Sequence, residues 1–307
     1  MSNNSSNFDP NGHYHYKGSD GVPNRGPTFW IAVMFTTLFA ISTAIHFLQA
    51  IIKRRWYLLA TAVMCGIGET VGWVGRSLSA KNPLADNPFL MQITCTIIAP
   101  TFLTAANFIC LAQLIKQADL ERYSRLSART YSWLFITVDF TALVIQAFGG
   151  AMASGSQPTT GGNVMLVGII ISLVGMLIYA ALGLNILSNM KHNKAVRGAA
   201  GYDGKRPELS HRHRLMVYGL EFSTVVLLIR GLYRTVELSA GWNGVIIRTE
   251  VLFNLFDGAM IVLAMYTLNF FHPGWLLDES RQHEPYGEWI GLRTASPSPQ
   301  PSLYGEP

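Results

Sequence analysis

Residues 28–55 read TFWIAVMFTTLFAISTAIHFLQAIIKRR. The first 25 of these residues contain no Asp, Glu, Lys or Arg, and the run ends at Lys53, Arg54 and Arg55. An apolar run of roughly 20 residues matches the thickness of the hydrocarbon core of a bilayer, in which a helix satisfies its own backbone polar groups. The stretch therefore predicts a membrane-spanning helix that ends in a basic loop.

The rest of the chain repeats this pattern. Of its 307 residues, 50% are hydrophobic and only 13% are charged, whereas a soluble domain carries about 25% charged residues. We predict an all-α membrane protein, a bundle of seven transmembrane helices. The predicted helices cover residues 28–52, 56–78, 89–115, 130–152, 162–189, 215–236 and 249–271. A polar tail (1–27) precedes the membrane domain (28–271), and a low-complexity, disordered tail (272–307) follows it.

The basic residues predict the orientation of the bundle. Fourteen Lys and Arg residues lie in three alternate loops, 53–55, 116–129 and 190–214. The amino tail and the other inter-helix loops together hold four. Basic loops remain on the cytosolic side. With seven spans, this distribution places the amino terminus outside the cell and the carboxyl terminus in the cytosol.

Charged residues recur inside the predicted helices, where each costs at least ~2.5–3.5 kcal/mol to insert. They repeat at intervals that keep them on one side of a helix, since positions seven residues apart differ by about 20° around the axis. Each charged helix thus has one polar stripe, and the stripes predict a chamber between the helices, biased toward the outer leaflet. The stripe residues are Glu69, Arg76, Asp139, Gln146, Arg230, Arg234, Glu237, Glu250 and Asp257. Glu221 lies apart from them, in the inner part of the sixth helix.

Two interpretations of these charges are open. They form buried ion-pair networks that fix the register of the helices, or they contact a substrate or handle protons. The two roles are compatible for the same residues. The second interpretation makes the nine stripe residues the candidate substrate-binding site.

Several chemistries are not indicated by the sequence. No phosphate-binding loop and no nucleophile-elbow serine occur, and only His46 among the histidines falls in a predicted helix. We therefore expect no enzymatic activity, no cofactor and no metal site. The basic residues lie between spans, so the net charge of +5 does not indicate nucleic-acid binding. Cys65, Cys95 and Cys110 all fall within predicted spans and are expected to remain free.

Several motifs resemble those of a known family. Residues 68–76 read GETVGWVGR, residues 146–150 read QAFGG, and residues 230–237 read RGLYRTVE. The matching positions continue through Val138-Asp139-Phe140, Gly241, Glu250 and Phe256-Asp257. With this content and order, the chain resembles the fungal lipid-translocating exporters, the RTA-like proteins. The motifs contain the same nine stripe residues.

The resemblance implies a seven-span protein of the plasma membrane or of internal membranes, linked to the release or flipping of sphingoid bases and to resistance to toxic lipophilic compounds. Of these locations we expect the plasma membrane, with an internal membrane as the alternative. On this basis we expect a translocator of amphipathic lipids. The amine of a long-chain base would meet Glu69, Asp139, Glu250 or Asp257, and the arginines would balance those acids or meet a phosphate. The expected partners are membrane lipids or lipophilic small molecules, and no protein partner is indicated.

Other functions remain as alternatives. The outward tail and the basic third inner loop would also suit a seven-helix receptor or a regulator of a membrane stress response, although no receptor signature occurs. One branch of the RTA-like family implies transport of a porphyrin or haem-type lipophile instead. An enzyme is the least favoured alternative.

Overall fold

The computed structural model describes residues 27–82, 85–118, 120–154, 157–192, 209–241 and 245–277. Regular secondary structure in these ranges is helical, with no strand. Six long helices are α1 (Phe29–Ile52), α2 (Met64–Lys81), α3 (Asp86–Gln117), α4 (Ala128–Ala153), α5 (Pro158–Lys191) and α6 (His211–Ser239). The seventh, α7, runs as Glu250–Phe253, a wider π-helical turn at Asn254–Ala259, and Met260–Phe270.

Shorter helical turns complete the described chain. A π-helical turn, Leu59–Val63, leads directly into α2. Glu121–Tyr123, Val245–Arg248 and Pro273–Leu276 form single turns. The turn Pro273–Leu276 lies within residues 272–307, which are predicted from the sequence to form a disordered tail. Residues 1–26 and 278–307, which make up most of both predicted tails, lie outside the described residues.

The helix ends agree with the predicted spans to within a few residues when the π-helical turn Leu59–Val63 is counted with α2. In the described ranges, six helices are long and apolar enough to cross a membrane: Phe29–Ile52, Asn87–Gln117, Ala128–Ala153, Thr159–Lys191, His211–Ser239 and Glu250–Leu276. The chain is a multi-pass integral membrane protein. The remaining long helix, α2, is more polar, because Glu69, Arg76 and Lys81 fall within its 18 residues.

Each long helix packs mainly against its neighbours in the chain, and α7 returns to contact α1 and α6. Helix α3 also contacts α6, and it is the most buried of the six apolar helices. It therefore forms the centre of the bundle, with α2, α4 and α6 around it.

Small residues bring α2 and α3 into close contact. A methyl group added at Gly68 would lie 2.7 Å from Ala99 Cβ, and one added at Gly72 would lie 2.8 Å from Thr96 Cγ2. Both distances are shorter than real side chains adopt, so only glycine fits at either position. The Gly68-x-x-x-Gly72 spacing in the sequence is typical of such a contact.

The two ends of the bundle differ in chemistry. At one end, Arg55 donates a hydrogen bond to the carbonyl oxygen of Leu277, and Gln117 Nε2 donates to the same oxygen at 3.4 Å. This end carries the connections from α1 to α2 and from α3 to α4, two of the three basic loops. At the other end, Thr28 at the start of α1 contacts Glu250 at the start of α7. We call these the basic end and the Thr28 end.

Candidate functional site

A buried charge cluster joins α6 to the π-helical turn of α7. Arg234 Nε and Nη2 donate to the two carboxylate oxygens of Asp257 at 2.8 and 2.6 Å. Arg234 Nη1 donates to Glu237 Oε2 at 2.8 Å, and Tyr233 donates to the other oxygen of Glu237 at 3.1 Å. Asp257, Glu237 and Arg234 are each 1% exposed. Bidentate pairing of this kind fixes geometry as well as charge.

Arg230 extends the cluster to α3. Its Nε lies 2.9 Å from Asp257 Oδ1, and its Nη2 donates to the carbonyl oxygen of Thr96. Proline has no N–H, so Pro100 leaves the carbonyl four residues earlier, that of Thr96, without its helical partner. Arg230 supplies the missing hydrogen bond. The position of Pro100 identifies the freed carbonyl, and the structure shows which side chain uses it.

A second ion pair lies toward the Thr28 end. Arg76 Nη2 is 3.2 Å from Glu250 Oε1, which links α2 to the start of α7. Glu250 also accepts hydrogen bonds from Thr28 N at 2.7 Å and from Thr28 Oγ1 at 2.9 Å. The side chain of Glu250 is 29% exposed and that of Arg76 is 5% exposed. This pair therefore lies between the buried cluster and the surface.

Aromatic rings separate and support the two groups of charges. The Phe253 ring centroid lies 4.5 Å from the Arg76 guanidinium carbon and 5.0 Å from that of Arg234. Trp73 stacks on Phe35 with centroids 4.2 Å apart and packs against Phe253 at 5.6 Å. Cation–π contacts of this kind stabilise desolvated arginines without neutralising them.

Glu69 differs from the other buried acids. It is 1% exposed, and neither of its oxygens forms a hydrogen bond with a described residue. It lies within electrostatic range of Asp257, Arg230 and Arg234 but is in direct contact with neither arginine. The indole Nε1 of Trp73, one turn further along α2, is close to the same carboxyl group and has no hydrogen-bond partner of normal geometry. Glu69 therefore has unused acceptor capacity in the interior of the bundle.

Gln146 lines a small polar cavity of about 40 Å³, and Asp139 is hydrogen-bonded to two residues of the cavity wall. Asp139 is buried and accepts hydrogen bonds from Thr104 and, at 2.5 Å, from Ser172; both hydroxyl residues line the cavity. The side-chain oxygen Oε1 of Gln146 has no hydrogen-bond partner among the described residues. Arg230 and Arg234 also line the cavity. A polar space of this size holds a few water molecules.

All nine predicted site residues thus lie in one region, although in three arrangements. Arg230, Arg234, Glu237 and Asp257 form the ion-paired cluster with Glu69 beside it. Arg76 and Glu250 form a separate pair, Gln146 lines the cavity, and Asp139 is hydrogen-bonded to two hydroxyl residues of the cavity wall. Each arginine contacts a carboxylate, as the cost of leaving a charge buried alone requires.

The charges of the site are uneven. The cluster contains three carboxyl groups, those of Glu69, Glu237 and Asp257, against two guanidinium groups. Asp139 adds an acid whose partners are hydroxyl groups. The arrangement can therefore accept a cation or a proton more readily than an anion.

The sequence analysis did not identify several residues that build this site. Phe253, Thr96, Thr104, Ser172 and Thr28 contact the charged groups, but apolar and hydroxyl residues are common in any membrane helix. Pro100 was a usable signal for Thr96, because the freed carbonyl lies four residues before the proline. The π-helical turn that contains Asp257 has no such signal in the sequence.

The chain is similar to several known proteins. The chain is 29% identical over 278 residues to "Sphingoid long-chain base transporter RSB1" of Saccharomyces cerevisiae (strain Lalvin EC1118 / Prise de mousse), covering 81% of this chain and 72% of the relative. It is 25% identical to "Probable lipid transporter atnI" of Emericella nidulans, over 87% of this chain and 71% of the relative.

A third relative is "Protoporphyrin uptake protein 1" of Saccharomyces cerevisiae (strain ATCC 204508 / S288c), 26% identical over 65% of this chain and 63% of the relative. No solved structure matches the chain. The family model described as "RTA1 like protein" matches residues 62–280, a range that contains all nine site residues. The chain belongs to the RTA1-like protein family.

Proposed function

We propose that this protein moves amphipathic lipids that carry a positively charged head group, of the sphingoid long-chain base kind, or similar lipophilic compounds, across a membrane. The names of two relatives, a sphingoid long-chain base transporter and a probable lipid transporter, support the substrate class. The relatives are named as transporters, which also favours transport over catalysis. Among cellular membranes, we favour the plasma membrane.

The surroundings of the Glu69 carboxyl group are the observation that carries the proposal. Its carboxyl group is buried, forms no hydrogen bond of normal geometry with a described residue, and lies beside a cluster whose two arginines are already paired. A carboxylate in such surroundings is costly unless a cation approaches it or a proton binds it. The ammonium head of a long-chain base meets that requirement, while its hydrocarbon chain remains among the apolar faces of the helices.

We further propose that all seven helices cross the membrane, with the amino end outside and the carboxyl end in the cytosol. Glu69 and Arg76 on α2 are 1% and 4% exposed, so the charges of this helix face the bundle instead of lipid. The three basic loops support a cytosolic basic end. The charge cluster then lies in the outer half of the membrane.

A lipophilic anion of the porphyrin kind is the second candidate substrate, favoured by the relative named as a protoporphyrin uptake protein. Its carboxylates would need an arginine. Arg76, Arg230 and Arg234 are each paired with an acid of the protein, and Arg234 is bound on all three of its nitrogens. The available charge is negative, so a cationic substrate fits the site better.

Reconstitution into vesicles tests the proposal. A long-chain base labelled on its hydrocarbon chain is added to vesicles that contain the full chain, and the fraction that albumin extracts is followed over time. We expect faster transbilayer movement than in protein-free vesicles, and a return to the protein-free rate in Glu69→Gln. The N-acetylated base, which has the same chain and no charge, is the matched control. Equal rates with and without the protein would refute the proposal, and binding without movement would identify a receptor.

A further inference from the structure

A second and larger cavity lies between α3, α5 and α6, toward the basic end. Its volume is about 320 Å³, within the range of roughly 300–1,000 Å³ that is typical of small-molecule sites. Leu111 and Leu114 of α3, Leu184 and Leu187 of α5, and Leu228 of α6 contribute to its apolar wall. We call this cavity the Glu221 groove, because Glu221 is the one charged residue among the described residues that line it.

Glu221 lies deep in the membrane for an unpaired charge. It is the eleventh residue of α6, about 15 Å from the start of a helix of 29 residues. A hydrocarbon core of ~30 Å centred on this helix includes it. Glu221 is exposed on the groove side and forms no ion pair or hydrogen bond with a described residue. An isolated carboxylate at this depth is costly unless a proton neutralises it or a cation from outside the protein pairs with it.

The shape and chemistry of the groove select the ligand. The wall is apolar except for Tyr179, Glu221 and Thr224, and Ala180 and Gly183 keep the α5 side open because their side chains are small or absent. Such a surface accommodates one hydrocarbon chain, and the carboxylate pairs with one positive head group. We propose that the Glu221 groove is the entry site at which a single-chain amphiphile with a protonated amine binds before it reaches the charge cluster; this inference rests on the proposed function and adds a binding site to it.

The position of the groove connects it to the candidate site. The groove and the polar cavity lie in the same seam between α3, α5 and α6, with Leu228 lining the first and Leu227 the second. Between them, Tyr179 donates to the carbonyl oxygen of Asn107 at 3.3 Å, and Asn107 Nδ2 donates to Ser223 Oγ at 2.9 Å. These two hydrogen bonds link all three helices at the boundary of the two spaces. An amphiphile in the groove is therefore separated from the cavity by these two hydrogen bonds.

Photo-crosslinking tests this inference. The full chain in lipid nanodiscs is exposed to a long-chain base with a photoreactive diazirine in its chain, and the labelled peptides are mapped by mass spectrometry. We expect labelling on the segments of α5 and α6 that line the groove. Glu221→Gln should lower this labelling roughly tenfold, the loss of one good ionic contact, and Glu221→Asp should retain most of it. Ala180→Trp, which fills the groove, should remove it.

The controls separate this inference from the proposed function. A neutral N-acetylated probe with the same chain should label weakly and should not respond to Glu221→Gln. Glu69→Gln should keep the groove labelling although its transport is lost. Labelling that is equal in the original chain and in Glu221→Gln would overturn the entry site, whatever the vesicles show. Glu221-dependent labelling without any transport in vesicles would keep the binding site and refute the transport function.

Discussion

The Arg234 guanidinium binds both carboxylate oxygens of Asp257, at 2.8 and 2.6 Å, and both side chains are 1% exposed. This contact ties α6 to the π-helical turn of α7. Because Arg230 Nε also lies 2.9 Å from Asp257, a single carboxylate contacts two buried arginines. Glu69, on the neighbouring α2, has no comparable contact. The two acids therefore differ in their contacts although both are fully buried.

Asp257→Asn should impair folding. The substitution leaves Arg230 without its carboxylate and Arg234 with Glu237 alone, and removing one member of a buried ion pair costs about 3–5 kcal/mol. We expect a lower yield of monodisperse protein and a lower thermal midpoint in detergent, measured by fluorescence-detected size-exclusion chromatography. Protein yield and midpoint equal to those of the original chain would contradict the structural role of Asp257.

Glu69→Gln, unlike Asp257→Asn, should keep the stability of the protein and lose its transport activity. No arginine loses a direct partner, and a neutral amide costs less to bury than a carboxylate, so the thermal midpoint should be unchanged or higher. Transport of a long-chain base in vesicles should nevertheless be lost, because an amide neither neutralises an ammonium group nor carries a titratable proton. The comparison is Asp257→Asn, whose transport and thermal midpoint are measured beside those of Glu69→Gln at equal protein content. A loss of activity in proportion to abundance would make Glu69 a structural residue.

The Arg76–Glu250 pair should show energetic coupling. We expect Arg76→Gln and Glu250→Gln each to lower stability, and the double variant to lose less than the sum of the two. The coupling should be about 0.5–3 kcal/mol, as for residues in direct contact. Thermal midpoints of the four proteins measure it. Thr28→Val, which removes one hydrogen bond to Glu250 without changing charge, should have a smaller effect. Strict additivity of Arg76→Gln and Glu250→Gln would show that the pair does not stabilise the bundle.

Gly72→Ala should destabilise the contact between α2 and α3. The added methyl group would lie 2.8 Å from Thr96 Cγ2, and Thr96 Oγ1 accepts a hydrogen bond from Arg234. Overpacking of this kind costs about 1–3 kcal/mol. Gly150→Ala is the matched control, since its added methyl group would meet Thr94 at 3.6 Å, an ordinary contact. A lower thermal midpoint is expected for Gly72→Ala alone. Equal midpoints in the two variants would show that the helices separate without cost.

The basic loops predict the outcome of a labelling experiment. Cys65, Cys95 and Cys110 are free, so a variant with all three replaced by alanine is a suitable background. A cysteine introduced at Ala200, in the loop 190–214, should react with a membrane-impermeant thiol reagent only after the cells are permeabilised. A cysteine introduced at Ser6 should react in intact cells. Reaction of the Ala200→Cys variant in intact cells would reverse the orientation.

Hydropathy and local spacing by themselves determined much of this protein. A long apolar run forms a helix in lipid whatever its neighbours are, because each backbone group must pair within the segment. Residues seven positions apart share a helix face because of the local geometry of the helix, so the sequence predicts that Glu69 and Arg76 lie on one stripe. The cost of exposing a charge to lipid predicts that this stripe faces the interior of the bundle. Pro100 likewise frees the Thr96 carbonyl through its own covalent structure.

Only the tertiary structure decided which charges pair. Glu250 and Asp257 are seven residues apart on one helix, yet Glu250 binds Arg76 of α2 and Asp257 binds two arginines of α6. The two acids cannot be told apart from the sequence. Which arginine each of them binds depends on how far each helix is rotated and shifted against its neighbours. The close approach of α2 to α3 and the π-helical turn around Asp257 set those positions. As a result, Glu69 has no ion-pair partner among the described residues, because the two arginines within its electrostatic range are paired with Asp257.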